Sequence, residues 1–237
     1  MHLVPLRSFR TSFLGVSFCA AALLAPALLA PEFAQAQEPP KRIEITPHIG
    51  YMWGGSTKVE AAEDEDGEEE PGGELDIASA PSFGVTLDSR VRDGAFAELS
   101  YSRQQTNLGL RSPGNPRQEL FDMSVEYFQI GGLMDFRNWE TRVAPIFLMT
   151  LGATRFAPDD ESGLGDEWRF SLALGAGVKV LLIGEWLGIR AQARFLTTFL
   201  SSESAVFCPG NGKCLFIVGD TTATFQGEGS IGAYVAF

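Results

Sequence analysis

The sequence predicts an all-β protein, an eight-stranded antiparallel up-and-down β-barrel. Eight segments of about ten residues or more alternate apolar and other side chains with a period of two, the pattern of a β-strand whose two faces have different surroundings. The connections between these segments alternate long and short along the chain. The last segment, residues 221–237, keeps its alternation up to the final residue, Phe237. A strand at each end of the chain allows the sheet to close on itself.

Residues 1–36 are expected to be a cleaved signal peptide, and residues 37–237 the barrel domain. Arg7 and Arg10 supply a positive start, an apolar run follows, and Ala34-Gln35-Ala36 has the small-x-small pattern of a cleavage site. A retained membrane helix is the alternative, but two prolines interrupt the apolar run. The mature chain has no run of about 20 apolar residues, so it would cross a membrane only as strands.

The first predicted strand, residues 42–53, leads into an acidic segment at 54–76 that we expect to be a long, mobile loop. Ten of the chain's acidic residues lie in 60–76, and the net charge is −12, so nucleic acid is not an expected partner. Weak binding of divalent cations at 60–76 is one reading of the loop, and a solvated charge run is the other. The spacing does not match a helix-loop-helix calcium site, where Gly67 would make Ala62 the first ligand.

The second strand, residues 79–90, is followed by Arg92-Asp93-Gly94, a tight-turn signature that leads directly into the third strand, residues 95–105. A second long loop is predicted at 107–119, which contains two prolines.

The fourth strand, residues 123–136, changes phase, because the apolar residues up to Tyr127 share one face and those from Phe128 share the other. A β-bulge near Tyr127 is predicted to reconcile them. In the fifth strand, residues 141–155, the alternation is blurred by Ile146 and Leu148.

The sixth strand, residues 168–182, follows a long acidic loop at 157–167 and is joined by a short turn to the seventh, which begins at Leu187. The fourth long loop, residues 201–220, contains Cys208 and Cys214, which flank Pro-Gly-Asn-Gly-Lys. In an exported protein this pair predicts a disulfide, which would stabilise the fold by roughly 2 kcal/mol. Two free thiols are the alternative.

The apolar face is predicted to point outward into a membrane, whereas a soluble eight-stranded barrel of the lipocalin kind would turn it inward. The polar face consists mostly of Gly, Ser and Thr, which suit a narrow lumen. Trp53 and Trp168 lie at one end of their strands, and Trp139 and Trp186 lie at the other. This placement is typical of the aromatic girdles at the two interfaces of a membrane barrel.

The terminal strand resembles the C-terminal assembly signal of bacterial outer-membrane barrels, with Phe237 last and Val235 and Tyr234 near the usual aromatic position. Together with the architecture, it makes the mature chain similar to the small eight-stranded outer-membrane β-barrels. This group includes the transmembrane domain of outer-membrane protein A and outer-membrane protein W. The resemblance implies an outer-membrane location, four loops at the cell surface, and contact with membrane lipid, lipopolysaccharide and the barrel assembly machinery.

Catalytic and metal-binding patterns were sought because some such barrels are enzymes. His48 is the one histidine after the signal peptide, and Ile49 and Gly50 follow it instead of the serine found in lipid A deacylases. We therefore expect no enzymatic activity, no cofactor and no specific metal site.

The inward face is predicted to carry two tiers of opposed charges that close the lumen as a polar plug. The height of each inward residue is counted along its strand from the end of the barrel that has the short turns. By this count, acidic residues of strands one to four lie at the same height as basic residues of strands five to seven. The lower tier comprises Glu44, Asp88, Glu98, Asp135, Arg142, Lys179 and Arg190, and the upper tier comprises Arg194 and Glu228. A plug indicates a structural or surface-interaction role. The alternative is independently hydrated charges lining a narrow porin-like conduit for small solutes.

Overall fold

The computed structural model describes residues 42–59, 73–112, 114–137, 141–159, 164–184, 186–200, 205–206, 216–217 and 223–237. Within these ranges the chain forms twelve β-strands: β1 (Ile43–Trp53), β2 (Ser56–Val59), β3 (Gly73–Ile77), β4 (Ala80–Arg92), β5 (Ala95–Arg111), β6 (Gln118–Asp135), β7 (Val143–Pro158), β8 (Glu167–Ile183), β9 (Leu187–Phe199), β10 (Ala205–Val206), β11 (Phe216–Ile217) and β12 (Ala223–Ala236). The described residues include no helix long and apolar enough to cross a membrane.

Eight of these strands close into one antiparallel barrel. The order around the wall is β1, β4, β5, β6, β7, β8, β9 and β12, so each strand pairs with its neighbour along the chain. The first and last strands complete the ring: the amide of Phe237 donates to the carbonyl of Ile43 at 2.8 Å, and the amide of Ile43 donates back at 3.2 Å. The predicted fold class, an all-β eight-stranded up-and-down barrel, is confirmed.

The two ends of the barrel differ, and we name them by their connections. At the turn end lie the first and last residues of the ring and the tight turn between β4 and β5, where Gly94 has a φ of 71°. At the loop end lie the longer connections, including the paired strands β2 and β3 and the short ladder of β10 with β11.

Side chains alternate between the lumen and the outer wall as predicted. On β1, Ile45, Ile49 and Tyr51 are exposed on the outer wall, whereas Thr46 and His48 between them are buried. The remaining strands follow the same rule, which places most exposed large apolar side chains on the outside of the barrel. The apolar face is therefore the outer one.

Two loop predictions are wrong in part because strands continue into them. The predicted loop at 107–119 begins and ends as strand, since β5 runs to Arg111 and pairs with the start of β6. The predicted acidic loop at 54–76 contains β2 and β3, which form a hairpin. Leu75 and Ile77, at alternate positions of β3, are buried, and this short apolar pair was hidden by the acidic composition around it.

The predicted β-bulge at Tyr127 is also wrong. Strand β6 pairs without interruption with β5 and with β7 on either side of that residue. Met123, Val125 and Tyr127 are apolar residues that point into the lumen, so the chemistry of the inner face changes while the direction of the side chains does not. The register shift between β5 and β6 lies instead at Leu108 and Gly109.

Several predictions concern residues outside the described ranges. These are the signal peptide of residues 1–36, the disulfide of Cys208 and Cys214, residues 60–72 of the acidic cation-binding loop, and Trp139. They stay predictions. The other three tryptophans are exposed on the outer wall near the ends of their strands.

Candidate functional site

The lumen near the turn end is filled by a network of charged side chains. Lys179 Nζ lies 2.6 Å from Glu44 Oε2 and 3.7 Å from Asp88 Oδ2. Arg190 donates from Nη1 to Asp88 Oδ2 at 2.9 Å and from Nη2 to Glu98 Oε2 at 2.6 Å. None of these five side chains is more than 2% exposed. Each base thus bridges two acids.

The strand register explains why these five side chains meet. Glu44, Asp88 and Glu98 are direct cross-strand partners on β1, β4 and β5. Lys179 and Arg190 are direct partners on β8 and β9, across the lumen. Like charges placed opposite one another destabilise a sheet, so neither row would be stable without the other. The acidic and basic walls neutralise each other across the barrel.

A second tier lies further from the turn end. Arg194 on β9 and Glu228 on β12 are direct cross-strand partners and form two hydrogen bonds, one of them from Nε at 2.7 Å. Arg194 also donates to Ser100 Oγ at 3.2 Å and Ser102 Oγ at 3.1 Å, and Ser82 donates to Glu228 Oε1 at 3.0 Å. Hydroxyl groups therefore complete the coordination of this ion pair.

The buried lumen charges of both tiers balance. Arg42, just before β1, contributes a further cation whose Nε lies 3.2 Å from Glu44 Oε1. Together the two tiers contain four carboxylates and four cations: Glu44, Asp88, Glu98, Glu228, Arg42, Lys179, Arg190 and Arg194. A buried charge is costly unless it is paired and hydrogen-bonded, so this neutrality is a condition for closing the lumen around them.

Two of the predicted lumen residues do not join the charge network. Asp135 is buried, but its partner is Arg137, whose Nη2 lies 3.0 Å from Oδ2. Arg142 is exposed at the turn end, so its expected place among the lumen charges is corrected. Both residues lie at the rim, where a side chain reaches solvent or a residue nearby in the chain more easily than the opposite wall.

His48 lies inside the lumen between the two tiers. Its Nδ1 is 3.4 Å from the carbonyl oxygen of Thr46, and the ring packs over Gly84, where an added Cβ would come within 2.6 Å of Nε2. Among the described residues, no cluster of three or more His, Cys, Asp or Glu side chains could hold a metal ion. The imidazole of His48 thus fits only because residue 84 is a glycine, since a side chain at position 84 would collide with the ring.

Amide and hydroxyl groups fill the next level toward the loop end. Tyr127 donates to Gln226 Oε1 at 2.6 Å, and Gln226 donates to Gln104 Oε1 at 3.2 Å and to the carbonyl of Gly54 at 3.1 Å. Thr154 and Thr198 hydrogen-bond at 3.0 Å on the facing strands. These contacts link six strands or their ends across the lumen.

An apolar cap covers the lumen at the loop end, and sequence reasoning missed it. The cap is a buried cluster of Met52, Leu75, Ile77, Leu108, Met123, Val125, Tyr127, Phe156, Ala173, Leu196 and Leu200. Leu75 and Ile77 belong to the β2–β3 hairpin, and the rest line the wall. The available signal was the run of apolar residues on the inward parity of β6, which was read as a bulge instead.

The hairpin is held over the lumen by a glycine pair and an arginine. Gly54 and Gly55 have φ values of 80° and 111°, which only glycine adopts readily, and they redirect the chain from β1 into β2. Arg117 bonds Asp76 Oδ2 through Nε at 3.0 Å and Asn107 Oδ1 through Nη2 at 2.7 Å. The arginine thereby fastens β3 to β5.

A second apolar cluster lies within the turn-end half of the lumen. It consists of Phe96, Leu133, Ile146 and Leu148, which includes the two residues that blurred the fifth predicted strand. Lys179 Nζ lies 4.6 Å from the centroid of the Phe96 ring, a distance at which a cation is attracted to the aromatic face. The lumen charges are therefore walled by apolar side chains on one side.

The architecture was compared with known proteins. No protein-family model matches the sequence, and no curated protein sequence matches it. Among solved structures, outer membrane protein OprG from Pseudomonas aeruginosa shares 12% identity with a TM-score of 0.53, covering 84% of this chain and 97% of that one. Neisserial surface protein A shares 15% identity with a TM-score of 0.50, covering 83% of this chain and 97% of that one. The fold is that of the small eight-stranded outer-membrane β-barrels. At these identities the likeness concerns the fold alone.

Proposed function

We propose that the protein is a non-enzymatic outer-membrane β-barrel with a structural or surface-interaction role. Its lumen is plugged, and its four connections at the loop end are presented at the cell surface. The observation that carries the proposal is the filling of the lumen at successive levels by buried side chains, from the salt-bridged tiers to the apolar cap. Outer-membrane lipid, lipopolysaccharide and the barrel assembly machinery are the partners of such a protein.

The outer wall supports a membrane location. The eight wall strands are 11 to 18 residues long, and a transmembrane strand needs about 9–11 residues. Large apolar side chains such as Ile49, Ile130 and Phe195 are exposed on it, where water would make them unfavourable. Closure of the ring also leaves no wall strand with an unpaired edge, which the interior of a bilayer requires.

The filled lumen favours a plug over a conduit. An ion entering from the turn end would have to separate Lys179 and Arg190 from carboxylates with which they are almost completely buried. At the loop end it would have to pass the apolar cap, and apolar constrictions block ions by excluding water. The proposed role therefore resides in the surface loops, and the wall with its plug serves as their rigid support.

Conductance is the test of the plug. The mature protein, refolded and shown to be closed by its heat-dependent gel mobility, is placed in a planar bilayer beside a wide trimeric porin as a positive control. We expect no steady current from the wild type. A variant with Arg194→Ala and Glu228→Ala, which removes the upper ion pair without leaving one charge alone, is expected to show at most brief, small openings because the lower tier and cap remain. Steady, sizeable conductance by the wild type would replace the plug with the conduit.

Orientation is tested separately on intact cells. A cysteine introduced at Ser112, in the connection between β5 and β6, should react with a membrane-impermeant thiol reagent from outside, in a background where Cys208 and Cys214 are serine. The matched control is a cysteine at Asp93, in the tight turn between β4 and β5, which should react only after the outer membrane is permeabilised. The reverse pattern would contradict surface presentation of the loops.

A further inference from the structure

Three charged residues form a row across the outer wall near the loop end. Arg103, Glu126 and Arg155 are cross-strand neighbours on β5, β6 and β7. Tyr127 and Gln129 on β6 point into the lumen, so Glu126 points outward with Phe128. Arg155 Nη1 lies 2.9 Å from Glu126 Oε2, and Arg103 Nε lies 3.6 Å from Glu126 Oε1. One carboxylate therefore holds two guanidinium groups side by side.

The two arginine side chains of the row are partly exposed, whereas the glutamate between them is buried. The Glu126 side chain is 7% exposed, whereas those of Arg103 and Arg155 are 34% and 32% exposed. Arg103 is further fixed by a hydrogen bond from Nη2 to Ser124 Oγ at 2.9 Å. The carboxylate is buried between the arginines, and the arginines keep an outward edge. The outward edge of Arg155 is bonded to the more exposed Asp166, to whose Oδ2 it donates from Nε at 3.0 Å and from Nη2 at 2.6 Å.

An aromatic shelf borders this row: Tyr101 and Phe128 lie on the side toward the turn end, and Trp168 is the cross-strand partner of Arg155. The ring of Phe128 is 5.0 Å from that of Tyr101 and 5.5 Å from that of Trp168, and the guanidinium of Arg155 lies 6.0 Å from the Trp168 ring. Below the shelf the outer wall continues with exposed aliphatic side chains such as Leu99 and Ile130. Tyr and Trp rings concentrate at the headgroup level of a membrane, so the row lies at the height of lipid headgroups.

A polar groove of about 420 Å³ opens above the row, toward the loop end. Its lining includes Gln105, Asn107, Asp122, Ser124 and Asp159, and so offers amide, hydroxyl and carboxylate groups. Ser124 belongs both to this groove and to the contacts that hold Arg103. The aliphatic wall, the aromatic shelf, the arginine pair and the groove therefore follow one another on one face of the barrel.

We propose that this face binds a phosphorylated glycolipid of the outer leaflet, with a phosphate on Arg103 and Arg155. The acyl chains would lie along the aliphatic wall, and sugar hydroxyls would bond the groove. Guanidinium groups match phosphate oxygens in charge and geometry, and the lipid phosphate replaces the exposed contact of Asp166 with Arg155. The inference rests on the proposed outer-membrane function and specifies one lipid partner and its site.

The test measures binding to the refolded protein in detergent by native mass spectrometry. The probes are a diphosphorylated lipid A, the same glycolipid after removal of its phosphates, and inorganic phosphate as a competitor. The variants are Arg103→Gln with Arg155→Gln, and the same pair with Glu126→Gln, which leaves the row without charge and leaves no buried carboxylate alone. Arg111→Gln, at an exposed arginine outside the row, is the matched control. Heat-dependent gel mobility verifies that each variant is folded.

We expect the triple variant to bind diphosphorylated lipid A about tenfold more weakly or worse, since it loses both charge-assisted contacts with the phosphate. The Arg111 variant should bind as the wild type does, and removal of the phosphates should weaken binding to the wild type to a similar extent. A folded triple variant with unchanged affinity would overturn the proposal. Equal binding of the dephosphorylated glycolipid would do so too, and so would displacement of the lipid by an equimolar amount of inorganic phosphate.

The result is separable from the proposed function. A wild-type protein that is a closed, non-conducting barrel in the outer membrane but shows no preference for the phosphorylated glycolipid would refute the lipid site alone. A protein located elsewhere would refute the proposed function, whatever it binds in detergent.

Discussion

Arg190 is the residue whose reversal should disturb the lumen most. It contacts both Asp88 and Glu98, and all three side chains are almost completely buried. Arg190→Glu removes both ion pairs and places a carboxylate in the basic wall, opposite the three carboxylates of the acidic wall. Removing one partner of a buried ion pair costs about 3–5 kcal/mol, and reversal adds repulsion, so we expect a loss of unfolding free energy at or above that range. Entry of water to hydrate the carboxylates would reduce this loss but would open the lumen.

Two measurements follow this change. Urea unfolding of the refolded protein in lipid vesicles, monitored by tryptophan fluorescence, gives the free energy of unfolding, and a planar bilayer gives the conductance. Adding Glu98→Arg restores an ion pair of opposite polarity. We expect the double variant to recover stability by roughly 0.5–3 kcal/mol beyond the sum of the single effects, as residues in direct contact do.

Arg142→Glu is the matched control. Sequence counting placed Arg142 in the same tier, whereas in the structure it is exposed at the turn end. An exposed substitution of this kind usually changes stability by no more than about 0.5 kcal/mol. The role of the buried network is refuted if Arg190→Glu lowers the unfolding free energy no more than Arg142→Glu does, leaves the conductance unchanged, and combines additively with Glu98→Arg. The buried network would then not be what holds the lumen closed.

Three further changes test other parts of the barrel. Deletion of Phe237, whose backbone closes the ring, should leave export intact but lower the amount of heat-modifiable protein in the outer membrane. Normal amounts would contradict the role of Phe237 as an assembly signal. Gly188→Ala should lower the urea midpoint, because its Cβ would lie 2.4 Å from both the Tyr234 ring and the backbone carbonyl oxygen of Val180. Gly132→Ala should be tolerated, because the nearest atom to its Cβ would be 3.7 Å away. Equal midpoints would contradict the close packing at Gly188. Arg117→Ala should loosen the β2–β3 hairpin by removing the contact with Asp76. Faster proteolysis between β2 and β3 in the refolded protein would report this change. An unchanged cleavage rate would show that the apolar cap alone holds the hairpin.

The strands and their faces followed from the sequence because side-chain direction in a strand is a local property. Alternation with a period of two assigns each residue to the lumen or the outer wall without knowledge of the partner strand. The inward placement of Glu44, Lys179 and Arg194 could therefore be predicted residue by residue. Closure followed from the same source, since an even number of alternating segments connected in turn leaves only the first and last strand to be joined.

The assignment of faces from alternation was less successful where the inner face is apolar. A lumen lined by polar residues was expected, and the inward apolar residues Val125, Ile146 and Leu148 break that pattern. In the structure they line a closed interior, where apolar side chains are as well accommodated as paired charges. Leu75 and Ile77 were likewise predicted to lie in a loop. Their burial depends on the opposite wall of the barrel, which the local sequence pattern does not contain.

Only the tertiary structure decided which charges meet. Lys179 and Glu44 are separated by 135 positions, and the height at which they face each other depends on the stagger accumulated over the strands between them. Counting from the turns approximated that stagger well enough for the buried tiers but failed at the rim, where Asp135 turns to Arg137 and Arg142 is exposed. Side-chain direction repeats every two residues and is encoded along each strand, whereas the pairing of distant side chains depends on the geometry of the whole ring.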